Sequence, residues 1–190
     1  MKQKATYNLL LAYFIAFITL PTLSQDSINF NNIGLQQGLS QLSVLSIHQD
    51  HLKRMWFGTR SGLNMWDGER MQTFNNSESN KPELPGYDII KIVQEDNFLW
   101  LLSLQNVICR LNLSTMEVEN YTLNHRDIII YNNKVLVSTT HGLYEFDETK
   151  NRFSKNMFYK TDNQLTKLYT DKETNLWLYN QTENKIIKLN

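Results

Sequence analysis

The chain has 190 residues with 12% aromatics, seven glycines and three prolines, enough for a cored domain and neither disordered nor low-complexity. Charge is balanced at 19 basic against 19 acidic; without Lys2 and Lys4, both in the leader, 17 stand against 19, a net −2. That leaves no electrostatic footprint for nucleic acid or an anionic membrane. The single cysteine, Cys109, cannot form an internal disulfide or a thiolate zinc cluster. Within Val107-Ile108-Cys109 it reads as a small buried hydrophobe.

The first segment, 1–24, reads as a signal peptide. Met1-Lys2-Gln3-Lys4 gives a positive start, an apolar run follows from Leu9 to Leu20, and Pro21-Thr22-Leu23-Ser24 closes it. These are the three parts of a secretory leader, and the run is shorter than the ~20 residues a membrane span needs. Cleavage after Ser24 is expected, with an uncleaved N-terminal anchor as the alternative. Both place the remainder, 25–190, across the membrane. A short alternating stretch, Ser27 to Ile33, reads as one extra strand before the first repeat.

Four repeats follow, over about 39–74, 85–121, 125–153 and 164–190. The first holds Val44-Leu45-Ser46-Ile47, Met55-Trp56-Phe57-Gly58-Thr59, Gly62-Leu63-Asn64-Met65-Trp66 and Met71-Gln72-Thr73-Phe74. Period-two alternation with Gly, Asp and Asn punctuation argues for antiparallel strands. The fourth copy ends before its fourth strand. Trp56, Trp100, Leu136 and Trp177 fall at one equivalent position, spaced 44, 36 and 41 residues apart. A period near ~40 is that of a propeller blade. The expected fold is all-β: β-propeller blades, about four four-stranded antiparallel repeats in an incomplete ring. A four-bladed ring, closed by the N-terminal stretch supplying the absent strand, is the alternative. The large apolar residue of each second strand should pack between neighbouring blades. Gly62 and Gly142 should sit at positive φ in a tight turn, with Asn106 and Asn184 as their nearest substitutes.

The first repeat carries a more specific pattern: Gln37-Gly38-Leu39-Ser40, then Trp56-Phe57-Gly58-Thr59-Arg60-Ser61-Gly62-Leu63, then Asp67-Gly68. It resembles the periplasmic sensor region of Bacteroidetes hybrid two-component regulators, whose propeller repeat reads roughly W-x-G-T-x-x-G-L-x-x-x-D-G. The third repeat keeps Thr139, Gly142, Leu143 and Asp147 but has Leu136 for the Trp and Ser138 for the first Gly. The resemblance implies an extracytoplasmic sensor, responding to an oligosaccharide. Its partners would be further blades and signalling domains of a parent receptor, with a homodimer as one arrangement of that parent. It implies a periplasmic location, with the parent anchored in the inner membrane.

Candidate site residues are few. The four histidines, His48, His51, His125 and His141, show no metal-ligand spacing. No metal site, cofactor or catalytic residue is expected, and the chain reads as a non-enzyme. Asp50, Asp96 and Asp171 recur at the end of each first strand and read as turn caps. If the blades bind sugar, Arg60 and His141 in the loops between second and third strands, with Tyr87 between blades, are the candidates. The first two would present polar groups and Tyr87 a stacking ring. Two other functions compete: a glycan hydrolase or lyase on a propeller scaffold, and a protein-interaction scaffold.

Overall fold

The computed structural model describes residues 30–74, 84, 88–156, 159 and 163–189. The expected signal peptide, 1–24, residues 25–29 and Tyr87 lie outside them. The chain divides into two units, Met1–Asn32 and Ile33–Asn190. Of the first, the described residues Phe30 to Asn32 form no strand, nor does Ile33. The extra strand expected over Ser27–Ile33 is therefore not formed in its described half. Phe30 is 82% exposed.

Among its described residues the second unit is all-β apart from one turn of 3-10 helix, Leu35–Gln37. Its first sheet comprises Val44–Gln49 (β1), Met55–Thr59 (β2), Gly62–Trp66 (β3) and Met71–Phe74 (β4). The second comprises Ile89–Glu95 (β5), Phe98–Ser103 (β6), Val107–Asn112 (β7) and Val118–Thr122 (β8). The third comprises His125–Tyr131 (β9), Lys134–Thr139 (β10), Gly142–Asp147 (β11) and Arg152–Lys155 (β12). The fourth has three strands, Leu165–Thr170 (β13), Leu176–Asn180 (β14) and Lys185–Leu189 (β15). Each sheet is an antiparallel meander in chain order. The inner strands β1, β5, β9 and β13 neighbour one another in sequence. These are propeller blades in an open ring, as the repeat predicts.

Three apolar layers lie between the four blades. In the first, Trp56, Leu63 and Phe74 pack on Ile89, Leu99 and Leu111. In the second, Trp100 and Ile108 pack on Ile128, Val135 and Phe146. In the third, Leu136 and Leu143 pack on Leu165, Leu176 and Leu178. Trp56, Trp100 and Leu136 thus stand between blades, each covered by the next. Trp56 and Trp100 are fully buried, each contributing on the order of 2–3 kcal/mol by burial. Cys109 lies in the first layer, and burial pushes its thiol well above the ordinary range. β2 and β6 are buried nearly throughout: Trp56 to Thr59 and Leu99 to Ser103 are all buried. β1 instead alternates, with Ile47 exposed on the face turned away from the second blade. Part of that face is covered by the preceding segment: Ser40 N–H donates to Asn64 Oδ1 at 2.9 Å, and Asn64 Nδ2 donates to Ser40 Oγ at 2.9 Å.

One irregularity recurs in all four blades. The register between first and second strands shifts at Val44/Ser46, at Ile89/Lys91, opposite Ser138/Thr139, and at Leu165/Lys167. A β-bulge at the same place in each inner strand bends it and increases its twist. The residue after the extra one is Ser46, Lys91, Asp127 or Lys167, and there the blades make polar contact. Ser46 Oγ donates to the Ile89 carbonyl at 3.3 Å. Lys91 Nζ reaches Asp127 Oδ1 at 2.6 Å, and Asp127 Oδ2 accepts the Leu168 N–H at 3.1 Å. Asp127 therefore ties three blades together. The approach also explains Gly58: a Cβ there would meet the Ile89 carbonyl oxygen at 2.5 Å and clash with Ser46 Oγ.

Candidate ligand-binding faces

The β2–β3, β6–β7, β10–β11 and β14–β15 hairpins share one end of the blades with the connections between blades. Their local chemistry repeats. Thr59 Oγ1 donates to the Gly62 carbonyl at 3.0 Å and accepts the Ser61 N–H at 3.0 Å. Thr139 does the same with Gly142, at 2.8 Å, and with His141 N–H, at 3.0 Å. A hydroxyl in that position mimics a backbone turn. Gly62 and Gly142 both have φ 105°, with Asn106 at 60° and Asn184 at 49°. The substitution series read from the sequence is thus one of left-handed turn residues.

Arg60 and His141 are exposed at the tips of the first and third of these hairpins. The second blade's hairpin, with Leu104 59% exposed, stands between them, and no hydrogen bond joins the pair. His141 Nδ1 lies 2.9 Å from the hydroxyl of Thr140. Tyr87 falls outside the described residues, as does most of the 75–86 connection. Leu84, within it, is 1% exposed. The same end holds a residue that sequence reasoning passed over. His125 opens β9 at the position where the other blades have Val44, Ile89 and Leu165. It is 5% exposed, and neither ring nitrogen has a hydrogen-bond partner. Burial lowers its pKa, although the nearby carbonyls of Val107 and Ser103 favour the charged form.

At the opposite end, the Trp side chains recruit carboxylates. Trp56 Nε1 donates to Asp50 Oδ2 at 2.7 Å, and Trp177 Nε1 donates to Asp171 Oδ2 at 2.8 Å. Arg54 adds a 2.6 Å ion pair to Asp50. Burial works against the Asp50 carboxylate, yet the bonds from Trp56 and Arg54 outweigh it and hold its pKa below the usual range. Bonds from Asn175 and Trp177 bring Asp171 down to about 2. In the second blade the partner is Glu95, whose Oε2 lies 3.3 Å from Trp100 Nε1. Asp96 instead occupies the turn at φ 46°. The expectation that Asp50, Asp96 and Asp171 play one part is corrected here. The first and fourth blades have five-residue loops that begin with Asp, whereas β5 and β6 are joined by two residues, so the longer Glu side chain on the strand reaches the indole.

The first two blades also meet through a polar relay at this end. His48 Nε2 lies 3.1 Å from Gln94 Oε1, and Gln94 Nε2 lies 2.5 Å from His51 Nδ1. Beside it is an open concavity of about 680 Å³ lined by His51, Lys53, Gln94 and Asn97. Gln94 comes from another repeat, 46 residues from His48, so no local motif announces the cluster. Among the described residues, no three His, Cys, Asp or Glu side chains are grouped to hold a metal ion.

Comparison with known proteins agrees with the reading of the first repeat. Residues 38–61 match the family described as two component regulator propeller. The matched segment includes Trp56, Gly58 and Thr59 of β2. Over 77 residues the chain is 34% identical to histidine kinase P4 of Formosa agariphila, a match covering 40% of this chain and 6% of the kinase. Among solved structures, the extracellular domain of a hybrid two component system of B. thetaiotaomicron, BT3049, superposes with a TM-score of 0.66 at 19% identity. It covers 84% of this chain and 26% of that one. The WD40 β-propeller domain of Doa1 gives a TM-score of 0.52 at 10% identity, over 77% of this chain and 50% of that domain. At such identities the structural likeness is one of fold: these are propeller blades. The chain spans only a small part of the length of the curated relative and about a quarter of the extracellular domain.

Proposed function

We propose that this chain is the propeller part of an extracytoplasmic sensor of a hybrid two-component receptor, exported by the 1–24 leader to the periplasm, and that it binds an oligosaccharide without transforming it. The observation that carries the reading is the two component regulator propeller match over residues 38–61, which falls on the first repeat, the one that carries Trp56, Gly58, Thr59 and Gly62-Leu63 together. The relative that is a histidine kinase supports the signalling context. The carboxylates best placed by the fold favour binding over catalysis. Asp50 and Asp171 are committed to indole and turn hydrogen bonds, and Asp127 to Lys91 and backbone N–H groups. The hairpin end that carries Arg60 and His141 offers exposed polar groups on hydrogen-bonded turns, the arrangement a sugar hydroxyl array needs; Tyr87, outside the described residues, would be the stacking ring.

The test is calorimetric titration of the chain with a panel of oligosaccharides, followed by chromatography of the mixture. A saturable heat with the sugar recovered intact is the expected result. Arg60→Ala and His141→Ala should weaken it while changing folding stability by no more than ~0.5 kcal/mol, as exposed substitutions do. Release of shorter sugars or unsaturated products would contradict the sensor and support the hydrolase or lyase.

A further inference from the structure

The relay between the first two blades fixes the protonation states of its own members. Gln94, half-buried on β5, stands between His48, half-buried on β1, and His51, exposed in the 50–54 loop. The Gln94 amide nitrogen donates to the Asp96 carbonyl at 2.7 Å. A carbonyl only accepts, so the amide has one orientation. The second N–H of that nitrogen is then the one aimed at His51 Nδ1, 2.5 Å away, and Oε1 is the atom 3.1 Å from His48 Nε2. His51 therefore accepts at Nδ1 and carries its proton on Nε2, while His48 donates from Nε2. The two rings respond to acid differently. A protonated His48 still donates from Nε2 and keeps its bond. A protonated His51 sets an Nδ1–H donor against the amide donor, and that bond is lost. The loop closes on itself without Gln94: Asp50 Oδ1 accepts the Arg54 N–H at 2.9 Å, and the Asp50 carbonyl accepts the Lys53 N–H at 2.9 Å.

We propose that His51 is a pH-sensitive latch between the first and second blades, closed while its imidazole is neutral and open once it is protonated. Histidine is the side chain whose charge ordinarily changes between about pH 5 and 8. The surrounding charges give the open state a contact of its own, as a two-state element needs. Asp96, from the second blade, lines the same concavity as His51 and offers a carboxylate to the imidazolium. Lys53, on the loop, opposes it. Asp50 is committed to Arg54 and Trp56, and Glu95 to the Trp100 ring N–H. The neutral ring is the form that the second blade binds, so the contact is present at neutral pH and lost as pH falls. What opens is local. The apolar layer of Trp56, Leu63 and Phe74 on Ile89 and Leu99 holds no histidine, nor does the Ser46–Ile89 bond. The blades stay together while the loop is released from Gln94. That loop walls one side of the 680 Å³ concavity, so acid reshapes a polar recess between two blades.

The experiment is amide hydrogen–deuterium exchange with long-range proton–nitrogen NMR on the full 190-residue chain, at about pH 7.5 and about pH 5.5, on either side of ordinary imidazole titration. At the higher pH His51 should be the Nε2–H tautomer. On acidification the 50–54 amides, corrected for the intrinsic pH dependence of exchange, should exchange about fivefold faster, the weight of one hydrogen bond. β2 should stay protected. His51→Asn puts an acceptor that does not protonate where Nδ1 stands, and should keep the loop protected at both pH values. His48→Gln, which keeps a donor, should leave the response in place. Gln94→Leu removes the relay and should give fast loop exchange at both. Equal loop exchange at the two pH values in the unmodified chain would overturn the proposal, and so would an Nδ1–H tautomer of His51 at the higher pH. An unchanged response in His51→Asn would also overturn it, by moving the titrating group elsewhere, to Glu95, whose pKa burial raises. His125 and His141 lie at the opposite end of the third blade, away from this loop. None of these outcomes depends on whether an oligosaccharide binds.

Discussion

The first and third interblade layers are built from the same repeat, yet they are closed differently. Between the first and second blades a fully buried Trp56 fills the layer, and its ring nitrogen is tied to Asp50, which in turn holds Arg54. Between the third and fourth blades Leu136 stands in that place beside an open pocket, with no indole to anchor. The difference separates two things a propeller interface does. Apolar area between sheets holds the blades together; the indole–carboxylate pair additionally fixes the loop at the end of each inner strand. A blade can lose the second and keep the first.

The comparison is broken most directly by truncation. Trp56→Ala should destabilise the chain by about 3–5 kcal/mol and Leu136→Ala by about 2–3 kcal/mol, because the cost rises with the cavity left behind. Urea unfolding monitored by circular dichroism measures both. Equal losses, or the reverse order, would show that the third layer is packed as tightly as the first. Next in size is Asp50→Ala, expected to cost about 1–3 kcal/mol by leaving the buried Trp56 N–H and the Arg54 guanidinium without their acceptor. Asp171→Ala, on the exposed face of the fourth blade, should cost less in the same assay.

Titration behaviour sharpens the same contrast with a smaller effect. Asp50 is held below its ordinary pKa. Its contribution is therefore present above the unfolded carboxylate value, about 3.9, and lost as pH falls through the lower folded value. Glu95 runs the other way. Burial raises its pKa despite the Trp100 bond, so its contribution is present below the unfolded value and lost as pH rises through the folded one. Asp50→Asn should consequently flatten the acid side of a stability–pH curve. Glu95→Gln should leave that side intact and hold or improve stability at neutral pH. Parallel curves for the two variants would mean that their environments do not differ.

Much of this was legible before the fold was known. The spacing of Trp56, Trp100 and Leu136 located the three interblade layers, because a residue repeated once per blade on a central strand packs on the next blade; Trp177, half-buried, stands on the far face of the fourth blade. Gly62, Gly142, Asn106 and Asn184 identified the left-handed turns, because few residues tolerate that φ. What escaped was cross-repeat. The Lys91–Asp127 pair joins residues 36 apart on different blades, and nothing local marks it, since both sit where the other blades have Ser46 and Lys167. The Glu95–Trp100 bond escaped because a shorter loop displaced Asp96 into the turn and passed the role to the neighbouring residue. Gly58 looked like part of a motif; only the approach of the Ile89 carbonyl gives it a physical reason. Of the candidate binding residues, Arg60 and His141 are surface residues at one end of the blades.

The account's central claim is that order in this chain resides in the layers between blades, so that protection should follow how many neighbours a blade has. Hydrogen–deuterium exchange of the intact chain, resolved by strand, tests it. Covered on both faces, β6, β7 and β10 should exchange slowest. β2 should follow, and β13 to β15 should exchange fastest, because Tyr169 and Ile186 on the far face of the fourth blade are 64% and 72% exposed. Uniform protection across the four sheets, or slowest exchange in β14, would contradict it.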